Sequence, residues 1–300
     1  MADQKDLDYS YSLIDRIFRM SMGETGDFSG AMYNGDFSLS LEQAQERKYE
    51  FISANLNIKE GSRVLDMGCG WGPFLHFIRS MGGVGTGLTL SAAQAASCKK
   101  KGLNVHLKDC RKVLPGDFGT FDAISCIGAF EAFCSKEEWQ AGRQDGIYGD
   151  FFKVVHDLLP VGGRFYMQTM TMGRNMIDPG DISKKAEKKS AAHLITVLEE
   201  QFPGHWLPAG DRQIIDAASP LFKLLHESSG RLDYIETQKQ WQIRFQRFHF
   251  RKYAYFIGLI PRYLASPEFR RRISLFGEPA NRLCFEKEII EHYRFVFEKV

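Results

Sequence analysis

The sequence predicts an α/β protein with a mostly parallel central sheet covered by helices on both faces. Three observations point there. Short apolar runs alternate with helical patterns through residues 61–171, and the first of those runs ends in a carboxylate followed by a glycine-rich turn. The chain has 300 residues, 44% hydrophobic and 25% charged, which is ordinary globular usage. That length leaves room for two domains, or one large domain with a cap.

The elements follow in order. In LEQAQERKYEFISANL, residues Leu41, Ala44, Tyr49, Ile52 and Leu56 fall within an arc of about 140° at 100° per residue, so an amphipathic helix is predicted. RVLDM is a short strand, GCGWG a tight turn and PFLHFIRSM a helix. VGTGLTL, LNVHL, FDAISCIG and RFYMQTM read as four further strands. SAAQAASCKKK and residues 148–159 supply helices between them, and Pro160-Val161-Gly162-Gly163 makes the last turn. Beyond Met172 the pattern changes to a polar, Lys-rich stretch and then to the turn-rich FPGHWLPAGD, and LDYIETQ reads as another strand. The implied organisation is an N-terminal helical cap segment over 1–60 and a nucleotide-binding core over 61–171. A lid insertion over 172–230 follows, then final core strand or strands with a basic aromatic helical segment over 231–300.

The net charge is +2, too balanced for a surface devoted to nucleic acid. Residues 241–275, however, hold eight basic residues against Glu268 alone, a net +7 that leaves the rest of the chain at −5. Seven aromatic residues run through the first part of that window. A lid meeting anionic headgroups, or an acceptor's phosphate or carboxylate, fits these features, as does a solvated face on packed helices. The N-terminus, MADQKDLDYS, has neither signal-peptide nor transit-peptide character. The strongest apolar stretch, YAYFIGLI, is far shorter than the ~18 residues of a spanning helix, so a cytoplasmic enzyme is expected. The six cysteines include no CxxC pair, and no metal site is predicted. His76, His106, His156 and His292 read as satisfied structural histidines.

VLDMGCGWG, residues 64–72, carries the most information. A strand that ends at glycines lets a ligand approach the backbone, with a helix N-terminus beside it. A dinucleotide site would want G-x-G-x-x-G and an acidic residue about 20 positions on. Here the spacing is Gly68-x-Gly70-x-Gly72, and no Asp or Glu occurs from Met67 to Lys108. Asp66 instead precedes the first glycine, where a carboxylate can face a cationic amino-acid group. That arrangement favours S-adenosylmethionine over NAD. Asp109, just past the third strand, can meet an adenine amino group or cap a loop.

VLDMGCGWG, then GLTLSAAQ, ISCIGAFEAF and LLPVGGRFYMQTMT, in that order, resemble the cyclopropane-fatty-acid and mycolic-acid cyclopropane synthase family of methyltransferases. SLEQAQERK and FPGHWLP are similar to further family segments, and the likeness covers roughly residues 8 to 250. It implies a Rossmann-like methyltransferase fold, a helical lid over a hydrophobic acceptor channel, and S-adenosylmethionine as methyl donor. The cofactor positions it implies are Tyr33, Asp66, Gly68, Cys69, Gly70, Thr89, Leu90, Gln94, Asp109, Cys110 and Ile127. Ser91 to Gln94 can also form a helix capping box.

For chemistry, the resemblance implies a carbocation handled by a buried carboxylate with bound bicarbonate, and Glu131 matches that carboxylate. Its neighbours depart from the family pattern. Ala132 and Gln168 stand where histidines are usual, Asn34 aligns with a cysteine, and Trp241 with a tyrosine near the sixth strand. The candidate catalytic set is therefore Glu131, Gln168, Trp241 and Asn34, with bicarbonate and ring closure in doubt. The acceptor implied is an unsaturated lipid-like or terpenoid carbon; the alternative is a natural product methylated at N, O or C. A cofactor-binding module without chemistry and an RNA methyltransferase are further readings that the residues favour less.

Overall fold

The computed structural model describes residues 26–183, 185–276 and 279–300. Residues 1–25 of the expected N-terminal cap lie outside the described residues.

Five parallel strands form where the apolar runs predict them: β1 (Arg63–Met67), β2 (Val84–Thr89), β3 (Asn104–Leu107), β4 (Ala123–Ile127) and β5 (Arg164–Met172). Two more, β6 (Phe222–Ser229) and β7 (Ile290–Lys299), complete a seven-stranded sheet in the order β3-β2-β1-β4-β5-β7-β6. β7 runs antiparallel to both β5 and β6. The sheet is buried on both faces, as parallel strands require. Along β5, Phe165 and Met167 enter one cluster with Phe130, Phe151 and Phe152, while Tyr166 enters the other with Ile52, Leu75 and Ile78. Alternation of two residues per repeat sends neighbours to opposite faces, so one strand feeds two cores.

LDYIETQ is not a strand. It lies within the Arg231–Gln246 helix, whose buried residues Asp233, Tyr234 and Thr237 follow helical spacing. The strand is FKLLHESS just before it, and it falls inside the 172–230 stretch read as lid. Packing decided this. The helix lies against the Ala280–Glu286 helix and β7, and Tyr234 and Ile235 join Leu194, Cys284, Phe285 and Ile290 in a third cluster. That cluster also draws on the Ala191–Gln201 helix, so three helices build a small core of their own beside the sheet.

The order reverses between β2-β3 on one side of β1 and β4 on the other, which opens a crevice at the carboxyl ends of β1 and β4. Asp66 and Gly68 lie at one lip of that crevice, and Ile127 and Gly128 at the other. All six cysteines are buried free thiols. Among the described residues, no helix is long and apolar enough to cross a membrane.

Candidate active site

A cavity of about 950 Å³ occupies this crevice and continues beneath the helices of the third cluster. Every candidate cofactor residue except Tyr33 lines it: Asp66, Gly68, Cys69, Gly70, Thr89, Leu90, Gln94, Asp109, Cys110 and Ile127.

The turn after β1 needs glycine for two different reasons. Gly68 has φ +85°, and a Cβ there would come within 2.3 Å of the Ala129 Cβ. Gly70 has φ +53° with open space where a Cβ would stand. The first glycine lets two chain segments meet, and the second keeps a bend that L side chains rarely adopt. Beneath them Asp66 is buried, with the Ser125 hydroxyl donating to its Oδ1 at 2.8 Å. Burial pushes its carboxyl up to about 7; the charge on Asp27 adds to this, while the Ser125 hydrogen bond and the Lys48 ammonium oppose it.

Past β2, the Thr89 hydroxyl donates to Gln94 Oε1 at 2.6 Å and accepts the Ser91 amide. Ser91 in turn caps the Ala92–Lys100 helix by accepting the Gln94 amide. Gln94 is thus both a helix-start residue and part of the cavity wall. Asp109 likewise does two things. It caps the short turn Cys110–Lys112 and receives the Arg111 guanidinium on both oxygens, at 3.1 and 2.8 Å. Its carboxyl is half-buried, which opposes charge, but the Arg111 hydrogen bonds and charge hold it below the usual carboxylate range.

The residues present fit S-adenosylmethionine. A buried carboxylate at the end of β1 suits a cationic amino group, the glycine backbone is open to a ligand, and Asp109 stays ionised at the far lip. Asp66, Gly68, Gly70, Thr89, Gln94 and Asp109 line the cavity and are the residues that would hold the cofactor.

Of the catalytic candidates, Glu131, Gln168 and Trp241 line the cavity and Asn34 does not. Glu131 follows β4 in a single helical turn, and its Oε1 accepts the Met170 amide at 3.0 Å. Burial pushes its carboxyl up to about 8, against the pull of that one amide. Gln168 is spoken for at both ends: Nε2 donates to the Gly30 carbonyl at 3.0 Å, and Oε1 accepts from the Tyr166 hydroxyl at 2.9 Å. Trp241 sits 5.8 Å from Phe28, which in turn lies 5.3 Å from Trp71. Among the described residues, the buried indole N–H groups of Trp71 and Trp241 have no hydrogen-bond partner.

Asn34 is exposed, in a left-handed turn at φ +50°, and only its backbone N–H reaches inward, to Asp233. Tyr33 is buried behind the wall with Ala31, Leu41 and Ala44. The residues of this strap that do line the cavity are 26–30, so the expected positions are displaced along the chain. Asp27 is pinned there by the buried Lys48 ammonium at 2.6 Å and by the Tyr49 hydroxyl.

The structure adds two residues that the sequence did not single out for this role. Tyr234, five positions after β6, lines the cavity and stacks on His292 with centroids 4.9 Å apart. A tyrosine near the sixth strand is therefore present, and Trp241 need not replace it. His292 also lines the cavity, and among the described residues its buried Nδ1 has no hydrogen-bond partner. The expectation of a satisfied histidine fails there. Tyr234 faces the cavity because LDYIETQ is helical, and His292 reaches it because β7 pairs with β5.

The family model for mycolic acid cyclopropane synthetase matches residues 1–255. Cyclopropane mycolic acid synthase 3 of Mycobacterium tuberculosis is 31% identical over 237 residues, covering 77% of this chain and 78% of the relative. Hydroxymycolate synthase MmaA4 of the same organism is 28% identical over 242 residues, covering 79% and 76%. Among solved structures, the mycolic acid cyclopropane synthase CmaA1 in complex with SAH and CTAB superposes with a TM-score of 0.76 at 24% identity, covering 99% of each chain. The cyclopropane synthase MmaA2 from Mycobacterium tuberculosis gives 0.77 at 24%, with the same coverage. Geranyl diphosphate C-methyltransferase from Streptomyces coelicolor A3(2) shares the fold at a TM-score of 0.58 and 14% identity, covering 92% of this chain and 84% of that one. With its glycine turn, its Rossmann-like sheet and these matches, the chain belongs to the mycolic acid cyclopropane synthetase family and is an S-adenosylmethionine-dependent methyltransferase.

Proposed function

We propose that the enzyme methylates a carbon of an unsaturated, lipid-like acceptor, with Glu131 as the group that stabilises charge or takes the proton. When bound, S-adenosylmethionine supplies an electrophilic methyl group, and an alkene that accepts it is left with a carbocation. A cation is costly in an apolar cavity unless carboxylate or aromatic groups face it. The observation that carries the reading is Glu131, a half-buried carboxyl that lines the same cavity as Met170, Tyr234 and Trp241 and accepts the Met170 amide.

The cavity walls supply the rest. Phe28, Trp71, Trp241 and Tyr234 present aromatic faces suited to positive charge, while Met170, Met172, Met176, Ile195 and Leu198 make an apolar wall that excludes water. The raised carboxyl of Glu131 holds a proton at neutral pH in the ligand-free enzyme, and a cation placed nearby favours its ionised form. Charge on Glu131 is thereby tied to occupancy of the site. Gln168 braces the strap at Gly30 and cannot act as a base near pH 7. The likeness to a cyclopropane mycolic acid synthase and a hydroxymycolate synthase supports a lipid acceptor.

Methyl-labelled S-adenosylmethionine tests the proposal when it is incubated with enzyme, unsaturated acyl lipids and a set of soluble amines and phenols. Label should partition into the organic-extractable lipid. Label confined to nitrogen or oxygen of a soluble compound would replace this reading with natural-product methylation.

A further inference from the structure

The helix Phe250–Ala265 leaves an apolar face open to solvent. Phe250, Tyr253, Ile257, Ile260 and Leu264 are all exposed, Phe250 at 76% and Leu264 at 68%. At 100° per residue they fall within an arc of about 80°. Phe248, just before the helix, is 78% exposed. Such a stripe normally faces a core; here it faces outward, while Lys252 on another side of the helix is buried. Phe245 and Phe256, from the same segment, line the cavity. One element therefore presents an apolar outer stripe and helps to wall the site.

The surrounding charge says what covers the stripe. Residues 241–265 contain no Asp or Glu, and Arg247, Arg251 and Arg262 are exposed along them. Arg251 and Arg262 lie about 140–160° around the helix from the centre of the stripe, on the polar face opposite it. Two copies packed stripe to stripe would lack the complementary charged flanks that specify paired helices, because Ala254, Phe256, Pro261 and Tyr263 occupy those flanking positions. An anionic surface with an apolar interior satisfies both features. Aromatic residues such as Phe248, Tyr253 and Tyr263 are the kind that anchor at a membrane interface.

Arg270 and Arg271 have other tasks. Arg270 donates to the Tyr263 and Leu264 carbonyls at the end of the helix, and Arg271 pairs with Glu200 at 3.0 Å. Arg262 lies over the Phe269 ring, 4.8 Å from its centroid. The charged contribution is therefore assigned to Arg247 and Arg251.

We propose that Phe248 and the Phe250–Ala265 helix form an interfacial docking element that lies on an anionic lipid bilayer, stripe inward, beside the cavity. This rests on the lipid-acceptor reading for its purpose but not for its geometry. The test is co-sedimentation of the full chain with vesicles of phosphatidylcholine alone or mixed with phosphatidylglycerol, at low and high salt. The parent should bind the mixed vesicles, more weakly at high salt. Ile257→Glu with Leu264→Glu should lower that binding about tenfold or more, and Arg247→Gln with Arg251→Gln should remove much of the salt-sensitive part. Neither pair lines the cavity, so S-adenosylmethionine affinity should be unchanged, which also reports correct folding.

Turnover on detergent-dispersed unsaturated lipid separates the two readings. A parent that methylates dispersed lipid but does not bind anionic vesicles overturns the docking element and leaves the function standing. A parent that binds vesicles through these residues but methylates no lipid does the reverse. A lipid-free dimer that Ile257→Glu with Leu264→Glu converts to monomer would assign the stripe to a second copy and overturn the proposal.

Discussion

Tyr234 lies face to face with His292, their planes within 3° and their centroids 4.9 Å apart. The pair joins the helix after β6 to β7, at the strand position opposite Met170, whose amide holds Glu131. Burial, then the charges of Arg294 and Lys48, hold the imidazole well below its usual range, so it is neutral at pH 7. The stack is therefore aromatic contact without a cation, and it sets the ring of Tyr234 in the cavity wall. Tyr234→Phe keeps that contact and removes only the hydroxyl. Its kcat should fall about tenfold with S-adenosylmethionine affinity unchanged, the scale of one lost hydrogen bond in the reacting complex. Steady-state kinetics with calorimetric cofactor binding checks both halves.

Glu131→Gln should cost at least two decades in kcat, roughly 3 kcal/mol of barrier, while the variant still binds cofactor. Because burial pushes the free carboxyl up to about 8, kcat/KM of the parent should rise with pH and level off above that value. The limb in kcat should lie lower, since a cation in the site favours the carboxylate. Glu131→Gln should abolish the limb. A variant with normal turnover and an unchanged profile would make Glu131 structural.

Asp66 predicts a pH effect on stability. Its folded value, about 7, lies above the unfolded value near 3.8. The folded state then binds the extra proton, so this contribution is fully present below about pH 4 and is lost as pH rises through about 7. Asp27 and Asp109, with lowered carboxyl values, act in the opposite sense and at lower pH. Thermal melts of ligand-free Asp66→Asn should therefore decline less between pH 5 and 8 than those of the parent. The same variant should lose S-adenosylmethionine affinity at pH 8, where the parent carboxylate is ionised.

Activity should not depend on bicarbonate. Ala132 offers no polar group, and both ends of Gln168 are already bonded to Gly30 and Tyr166. Rates in buffer stripped of carbon dioxide should match those with bicarbonate restored. A strong, saturable rescue would return ring closure as the leading reaction, with Tyr234 and Glu131 as the remaining groups able to orient the anion.

The first five strands were legible because parallel strands buried on both faces are written as short apolar runs closed by glycine turns. The cofactor end of the site was legible for the same reason: Asp66, Gly68 and Gly70 lie next to one another in the chain. The later elements were harder to read. β6 is an edge strand with a half-polar sequence, FKLLHESS, while LDYIETQ imitates strand alternation and is held helical by its packing on β7 and the Ala280–Glu286 helix. The strap at 26–30 has no periodicity to set its register, so the sequence points to Tyr33 and Asn34 where Asp27, Phe28 and Gly30 line the cavity. His292 enters through an antiparallel pairing that no local pattern announces.

The central claim is that the methyl group goes to carbon of a double bond. The most direct measurement uses cofactor carrying a deuterated methyl group and two lipids of matched length and headgroup, one unsaturated and one saturated, with products read by mass spectrometry after fragmentation. Label should enter the unsaturated chain alone and lie at the former double bond. Equal labelling of the saturated lipid, or label on the headgroup, would contradict it.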